Sequence, residues 1–256
     1  MRSSARIVSV LGECLVTAGA LVLLFVVWQV WWTDVTARAQ SDRASERLEQ
    51  RWKDPAVTES PLPAVPSGPR SATEGKPAGM QAPPVVASPP EVGAAFALVR
   101  IPAFGSDYVQ PLLEGTDTQT LKSGVGHYVG TALPGAVGNL AIAGHRVTYG
   151  RPFFRIDELR VDDVVQVETE QALLTYTVRS SLVVTPDRID VIAPVPERPG
   201  AQPQERLLTL TACHPRYSAR QRYIVQAVLT SWKAKAEVTR IEEADTAPSA
   251  GLGSED

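Results

Sequence analysis

The chain has 256 residues, of which 44% are hydrophobic, so it has room for one domain of ordinary size with appended segments. Its formal net charge of −3 lacks the basic excess that a nucleic-acid partner requires, and we expect no such partner. Two cysteines exclude a disulfide framework, and no Cys/His cluster has zinc spacing, so neither a metal nor another cofactor is expected.

The first element is the apolar run from Ile7 to Trp32. As a helix it would span roughly 39 Å, which exceeds the roughly 30 Å of a hydrocarbon core. Three tryptophans lie at its end, as in an interfacial belt, and two arginines precede it, which favours a cytoplasmic N-terminus. We predict that residues 1–33 are a cytoplasmic N-terminus and a transmembrane anchor. A cleaved signal peptide is the alternative, but the run is long for one and lacks a clear cleavage site.

Residues 34–91 are predicted to be a juxtamembrane segment followed by a linker. Asp34 to Lys53 is polar, lacks proline and glycine, and is predicted to be helical. Pro55 to Pro90 is rich in proline and is predicted to be an extended spacer that could reach on the order of 110 Å, or a plain disordered connector. Residues 237–256 form an acidic tail that is also predicted to be disordered.

Residues 92–236 have the composition of a globular domain with short strands. The apolar runs are rich in β-branched residues and are separated by turn residues, so we predict an all-β fold, either an antiparallel barrel or a sandwich. The candidate strands are Phe96–Ile101, Tyr108–Pro111, Asn139–Ala143, Val164–Glu168, Leu173–Val184, Leu207–Ala212 and Tyr223–Ser231. Two short helices are predicted at Asp117–Ser123 and Pro152–Leu159.

Cys213 ends one of these predicted strands and has no disulfide partner in the globular part of the chain. An unpaired thiol is either a buried hydrophobe or a reactive group. A thiol nucleophile needs a base and a donor for the developing oxyanion. His145 follows an apolar strand that ends in glycine, and on local grounds it is a better candidate base than His127 or His214, although a lone loop histidine is often structural.

Three arginines follow Cys213 closely and are candidate cationic donors. Arg216, Arg220 and Arg222 could equally form a solvated basic turn. Residues 220 and 222 would face the same side of the return strand, so strand periodicity alone does not show which of them is the cationic donor beside Cys213. No carboxylate can be named as a third catalytic group.

Four segments together resemble the sortases, the cysteine transpeptidases of Gram-positive cell surfaces. Thr-Leu-Thr-Ala-Cys-His-Pro at 209–215 resembles the sortase cysteine motif. The segments at 124–135, 139–146 and 153–159 (Gly-Val-Gly-His-Tyr-Val-Gly-Thr-Ala-Leu-Pro-Gly, Asn-Leu-Ala-Ile-Ala-Gly-His-Arg and Phe-Phe-Arg-Ile-Asp-Glu-Leu) are similar to those of the class E group of actinobacteria. The resemblance covers about residues 95–232, and the segments occur in the family's order.

The resemblance implies a closed sortase-type β-barrel of about eight strands with one or two short helices, preceded by one transmembrane helix. It implies Cys213 as nucleophile, His145 as general acid/base and Arg222, rather than Arg220, as the group that positions substrate and stabilises the oxyanion. It further implies substrate contacts by Tyr128 and Thr211.

Ala212 departs from the family pattern, which has threonine before the cysteine. The family's threonine has been assigned a part in substrate or oxyanion contacts, and a lost oxyanion donor costs roughly 3 kcal/mol of transition-state stabilisation. We therefore expect an active enzyme that is slower or has a changed motif preference, with reduced activity as the alternative.

The function that the resemblance implies is transpeptidation at the outer face of the cell membrane. The partners would be surface proteins with a C-terminal Leu-Ala-x-Thr-Gly or Leu-Pro-x-Thr-Gly sorting signal, cleaved between Thr and Gly, and an amine of a lipid-linked cell-wall precursor. The alternatives are a membrane-tethered cysteine hydrolase that uses water, and a non-catalytic barrel with an inert Cys213.

Overall fold

The computed structural model describes residues 2–53, 82–88 and 90–235, which form one long helix and eight strands. The elements are α1 (Arg2–Lys53), β1 (Ala95–Arg100), β2 (Val109–Glu114), β3 (Val125–His127), β4 (Gly138–Ala143), β5 (Val164–Glu168), β6 (Ala172–Val184), β7 (Arg206–His214) and β8 (Gln221–Ala234). Short 3-10 helices lie at Pro102–Phe104, Thr120–Lys122, Ile156–Glu158 and Ile189–Ile192.

The strands close into a barrel in the order β1-β2-β3-β4-β7-β8-β6-β5. The predicted closed barrel of about eight strands is confirmed. The prediction of an antiparallel sheet is wrong for two pairs, because β2 with β3 and β4 with β7 are parallel. Parallel pairing requires the chain to return before the second strand begins; residues 115–124 do this between β2 and β3, and β5 and β6 intervene between β4 and β7.

Strand β3 is absent from the predicted strands because its glycine-rich sequence is typical of a loop. Its residues are held by pairing on both sides, since Gly126 lies opposite Leu113 of β2 and Ala143 of β4. A side chain at this glycine would not fit, because a Cβ there would lie 2.2 Å from the carbonyl oxygen of Gly115. The glycine that suggests a loop is therefore what lets the chain pass through a crowded part of the barrel wall.

The barrel interior is filled by alternate residues of the strands, as strand geometry requires. On β7, Leu208, Leu210 and Ala212 belong to the core. Thr209 and Thr211 lie on the opposite face of the strand and are buried there as well. The same alternation places the side chain of residue 213 on the outer face, away from the core.

The two predicted helices of the domain are reduced to single 3-10 turns. Thr120–Lys122 is preceded by Asp117, whose carboxylate accepts hydrogen bonds from the backbone N–H groups of Gln119 and Thr120. Ile156–Glu158 is the second turn. Neither segment has enough residues to repay the cost of nucleating an α-helix.

Helix α1 continues without a break from the apolar run into residues 34–53, which pack against β1 and β2. Ala37, Ser41 and Leu48 are buried there, and Ser41 Oγ donates a hydrogen bond to Gln110 Oε1 at 3.1 Å. By length and composition α1 could cross a membrane, with a mean hydropathy of 2.2 over its apolar part. The predicted juxtamembrane helix is therefore continuous with the predicted anchor and is part of the folded unit.

Most of the predicted linker lies outside the described residues, as does the acidic tail. At residues 82–88 the chain lies on the barrel, where Pro83 is buried. The carbonyl oxygen of Pro84 lies so close to Gly135 that a Cβ at this glycine would approach it to 2.7 Å. This part of the linker is therefore in contact with the domain that it joins.

Candidate active site

Cys213 is the penultimate residue of β7 and carries a free, half-buried thiol. It lies at the end of the strand where the chain turns towards β8. The strand fixes the backbone of this residue, while its position at the strand end leaves the sulfur partly open to solvent. A group held this way has the rigid support that a nucleophile requires.

Arg222 lies directly opposite Cys213 in the antiparallel pairing of β7 with β8. Side chains of directly opposed residues project from the same face of a sheet, so the guanidinium and the thiol share one side. The guanidinium is tied to the turn, because its Nη1 donates to the carbonyl oxygens of Ala219 and Gln221 at 3.0 and 2.9 Å. Arg220 lies in the turn before β8 begins, outside this register.

His145 reaches the same level of the barrel through the parallel pairing of β4 with β7. Ala143 lies beside Thr211, and the Gly144 N–H donates to the Thr211 carbonyl at 3.1 Å. Two residues further along each chain come His145 and Cys213. Gly144 admits no side chain, because a Cβ there would lie 2.5 Å from the Phe153 ring.

The imidazole of His145 is half-buried, and its Nε2 has no hydrogen-bond partner within the described residues. The ring lies against Tyr149, with 5.0 Å between ring centroids. Burial lowers the pKa of His145 below its ordinary value because it disfavours the imidazolium. The ring is therefore neutral at pH 7 and has a nitrogen available to accept or donate a proton.

The other two histidines are engaged elsewhere. His127 is buried in β3, where its Nδ1 lies 2.7 Å from Glu114 Oε2 and its Nε2 lies 2.9 Å from Thr131 Oγ1. It pairs with Ile142 of β4, so it lies further from the Cys213 end of the barrel than residue 145 does. His214 points to the opposite face from Cys213, as strand alternation predicts, and its Nδ1 lies 2.9 Å from Nη1 of Arg146.

Arg146, which the sequence reasoning missed, joins the segment of His145 to the strand of Cys213. Its side chain is 1% exposed, and its Nη1 donates to the Cys213 carbonyl oxygen at 3.3 Å. Its Nη2 lies 2.6 Å from Asp157 Oδ2. The available signal was its place directly after the candidate histidine in the 139–146 segment.

Asp157 is the candidate carboxylate for a third catalytic group beside Cys213 and His145. Within the described residues, however, it forms an ion pair with Arg146 and has no contact with His145. Burial raises the pKa of Asp157, while the charge of Arg146 and hydrogen bonds from Arg146 and Arg216 lower it more, so the net shift is downward. The carboxylate is ionised at pH 7 and balances the buried guanidinium.

Tyr128 and Thr211, the two residues predicted to contact substrate, lie together. The Tyr128 hydroxyl is 3.0 Å from Thr211 Oγ1. Thr211 is buried on the outer face of β7, two residues before Cys213, so the phenol covers the strand beside the thiol.

Ala212 is 3% exposed and belongs to the barrel core, on the face of β7 opposite that of Cys213. A side chain at this position therefore projects into the barrel interior. The expectation that a hydroxyl here bears on substrate or oxyanion has no support in this geometry, because the neighbours of residue 212 are core side chains.

The closed barrel places a free thiol and a neutral imidazole at one end of its strands, and these are two of the groups that nucleophilic cysteine chemistry requires. The sortase-domain profile matches residues 99–230 of the chain. The chain therefore belongs to the sortase family, and the eight-stranded barrel is the fold of that family.

Among its relatives are two sortases of Streptomyces coelicolor. Sortase SrtE1 is 35% identical over 84% of the chain, and sortase SrtE2 is 30% identical over 88%. The chain spans 55% of the length of SrtE1 and 82% of that of SrtE2. These matches confirm the predicted resemblance to the class E group.

Solved structures agree with this assignment. Sortase E from Streptomyces avermitilis superposes with a TM-score of 0.53 at 40% identity, covering 57% of this chain and 94% of that one. Sortase E1 from Streptomyces coelicolor, solved with a tripeptide in its active site, has a TM-score of 0.52 at 34% identity and covers 62% and 96% of the two chains.

Proposed function

We propose that the chain is a membrane-anchored cysteine transpeptidase that joins surface proteins to a cell-wall amine. The observation that carries the proposal is the register of β4, β7 and β8, which brings His145, Cys213 and Arg222 to one end of the barrel. The tripeptide in the active site of the related sortase E1 supports a peptide as the substrate class.

Acylation begins with attack of Cys213 Sγ on the threonine carbonyl carbon of the Thr–Gly bond. This bond belongs to a Leu-Ala-x-Thr-Gly or Leu-Pro-x-Thr-Gly sorting signal. The neutral imidazole of His145 accepts the thiol proton as the S–C bond forms. Arg222 stabilises the oxyanion, since its cationic fork lies on the same side of the sheet as the sulfur. Tyr128 and Thr211 contact the bound peptide beside the thiol.

Collapse of the tetrahedral intermediate breaks the C–N bond. His145, now an imidazolium, gives its proton to the departing glycine amine and leaves a thioester on Cys213. The amine of a lipid-linked cell-wall precursor then attacks the thioester, and His145 passes the amine proton to the sulfur as the S–C bond breaks. A covalent intermediate between two substrates predicts ping-pong kinetics.

The proposed location is the cell membrane, with a cytoplasmic N-terminus and an extracellular barrel. The apolar part of α1 has the length and composition of a single membrane span, and Arg2 and Arg6 precede it. An exported domain would meet sorting-signal proteins and wall precursors on the same side of the membrane.

The test is cleavage of a fluorogenic Leu-Ala-Glu-Thr-Gly peptide, and of its Leu-Pro counterpart, by the full chain in detergent. Each reaction is run with and without diaminopimelate or triglycine. We expect an amine-joined product from the wild type, none from Cys213→Ala or His145→Ala, and a loss of about 10²–10³ in kcat for Arg222→Ala.

Two other outcomes would point elsewhere. Release of hydrolysed peptide only, with both amines supplied, would favour the cysteine hydrolase. No cleavage of either peptide, together with a folded Cys213 that resists iodoacetamide, would identify a non-catalytic barrel.

A further inference from the structure

The long helix lies along the barrel in a defined direction. At its near end Asp34 forms an ion pair with Arg151 at 3.1 Å. At its far end the Trp52 ring lies 4.5 Å from Lys235 Nζ, just past the end of β8. Residues 34–52 therefore run from the candidate active-site end of the barrel to the opposite end.

The near-end contact is made to the turn that follows the candidate base. The turn at 148–151 contains Tyr149, whose ring packs on His145, and Gly150, whose N–H donates to Asp34 Oδ1 at 3.4 Å. Residues 149–151 all have positive φ angles, of 51°, 75° and 56°. Such a backbone is kept only where its surroundings hold it, and α1 supplies part of that support.

The same helix sets the height of this turn above a membrane. Trp31 and Trp32 end the apolar run, and tryptophans at the end of a membrane span are typical of the interfacial belt. Asp34 follows Trp32 by two residues, a rise of about 3 Å, and the headgroup layer on each side of a bilayer is about 5–8 Å thick. Trp52 lies 18 residues beyond Asp34, about 27 Å further out.

The surface around the turn has the side chains that headgroups attract. We define the site-end surface as Lys122, Thr148, Tyr149, Arg151 and Phe154. Lys122 Nζ lies 5.6 Å from the Tyr149 ring, and Arg151 lies 5.5 Å from the Phe154 ring. Arg151 is balanced by Asp34, while Lys122 has no carboxylate partner within the described residues. Cations beside aromatic rings favour contact with an anionic lipid surface.

We propose that the anchored protein stands with its site-end surface against anionic lipid headgroups, so that the candidate active site opens at membrane level. The inference rests on the anchoring part of the proposed function and deepens it. The proline-rich segment then does not hold the site away from the membrane. A sorting signal still attached to the membrane, and a lipid-linked amine, would meet the thiol without leaving the bilayer surface.

The experiment measures depth at two matched positions of the full chain. In a Cys14→Ala, Cys213→Ala background, a single cysteine is placed by Thr148→Cys or by Glu170→Cys and labelled with a fluorophore. Both positions are exposed, but Glu170 lies in the β5–β6 turn at the opposite end of the barrel. The labelled proteins are inserted into phosphatidylcholine–phosphatidylglycerol vesicles that contain a nitroxide quencher on the headgroup. The vesicles are separated by flotation, and the quenching of the label's fluorescence is measured in the protein that floats with them.

We expect strong quenching of the label at residue 148 and little at residue 170. Adding Lys122→Glu should reduce the quenching at 148, whereas Lys122→Arg should leave it unchanged. Equal quenching at the two positions, or none at either, would overturn the proposed orientation while leaving the anchor intact. A chain that does not float with vesicles would overturn both, and peptide cleavage in detergent still tests the chemistry by itself.

Discussion

At the scale of single residues, Arg146 shows how a buried charge fixes the candidate site. The guanidinium bonds the carbonyl oxygen of Cys213 and pairs with Asp157. It also follows His145 directly in sequence, so it sets the distance between the strand of the nucleophile and the segment of the base. We regard it as a positioning residue, since it contacts the backbone of Cys213 and not the reacting sulfur.

We expect Arg146→Ala to lower kcat of peptide cleavage at least tenfold, an effect of about 1.4 kcal/mol, with a much smaller change in KM. Removing the side chain breaks the bridge to Cys213 but leaves Tyr128 and Thr211, the residues proposed to contact the peptide, unchanged. Arg146→Lys should not restore kcat, because an ammonium cannot bond both partners with the geometry of a guanidinium. Steady-state kinetics on the full chain in detergent measures both constants.

Arg155→Ala is the matched control, because Arg155 forms an exposed ion pair with Glu158 and such pairs contribute little. Its kcat should stay within about twofold of wild type. A folded Arg146→Ala protein with unchanged kcat would contradict the positioning role.

His145 gives a prediction for stability against pH. Burial lowers the pKa of His145 below 6.5, its value in the unfolded chain, so the unfolded state binds the proton more readily. The resulting contribution to stability is complete above pH 6.5 and is lost as pH falls through the folded pKa. Between about pH 7.5 and pH 5, the free energy of unfolding should fall further for wild type than for His145→Gln. Urea unfolding of a chain without residues 1–33 measures the difference, and equal falls would contradict the buried neutral imidazole.

At the scale of elements, residues 34–53 of α1 belong to the domain although their sequence is that of a polar connector. Their buried side chains, Ala37, Ser41 and Leu48, lie at spacings of four and seven residues, which place them on one helical face. The sequence contains this stripe, but a stripe of three residues, of which only Ala37 and Leu48 are apolar, does not predict docking against a barrel.

Leu48→Ala tests whether the helix is docked in solution. Leu48 is 2% exposed, so its truncation should lower the free energy of unfolding by about 2 kcal/mol through lost burial and a cavity. Arg47→Ala, at an exposed neighbouring position, should have almost no effect. Thermal unfolding of the chain without residues 1–33 gives both values, and equal midpoints for the two variants would mean that the helix does not pack on the barrel.

The strands were easier to predict than the helices of this protein. Runs of β-branched residues between turn residues predict seven of the strands to within a few residues, because alternation and turn chemistry are local properties. Strand β3 escapes this reasoning because a three-residue strand with a central glycine is held only by its neighbours. The two 3-10 turns are shorter than the predicted helices because a cap without a long apolar face does not make an α-helix.

At the scale of the whole molecule, the helix and barrel form a unit with a direction. The candidate active site lies at the end of the barrel where α1 first contacts it, through Asp34. The β5–β6 turn lies at the other end, near Trp52. The same helix carries the apolar run that is long enough to cross a membrane, and this run precedes the contact with the active-site end of the barrel. The prediction of an extended spacer, made from the prolines, can apply only to the part of the chain between Lys53 and Ala82, because residues 82–88 lie on the barrel.

The sequence by itself determined the elements whose causes are local. These are the apolar span, the short strands, the cysteine at a strand end, and the motifs that resemble the sortases. Only the tertiary structure decided which residues meet, because pairing between distant strands depends on register. The parallel pairing of β4 with β7 brings His145 level with Cys213, and the antiparallel pairing of β7 with β8 places Arg222, and not Arg220, opposite Cys213. The buried bridge of Arg146 and the docking of α1 depend on contacts between segments far apart in the chain, and no local pattern records them.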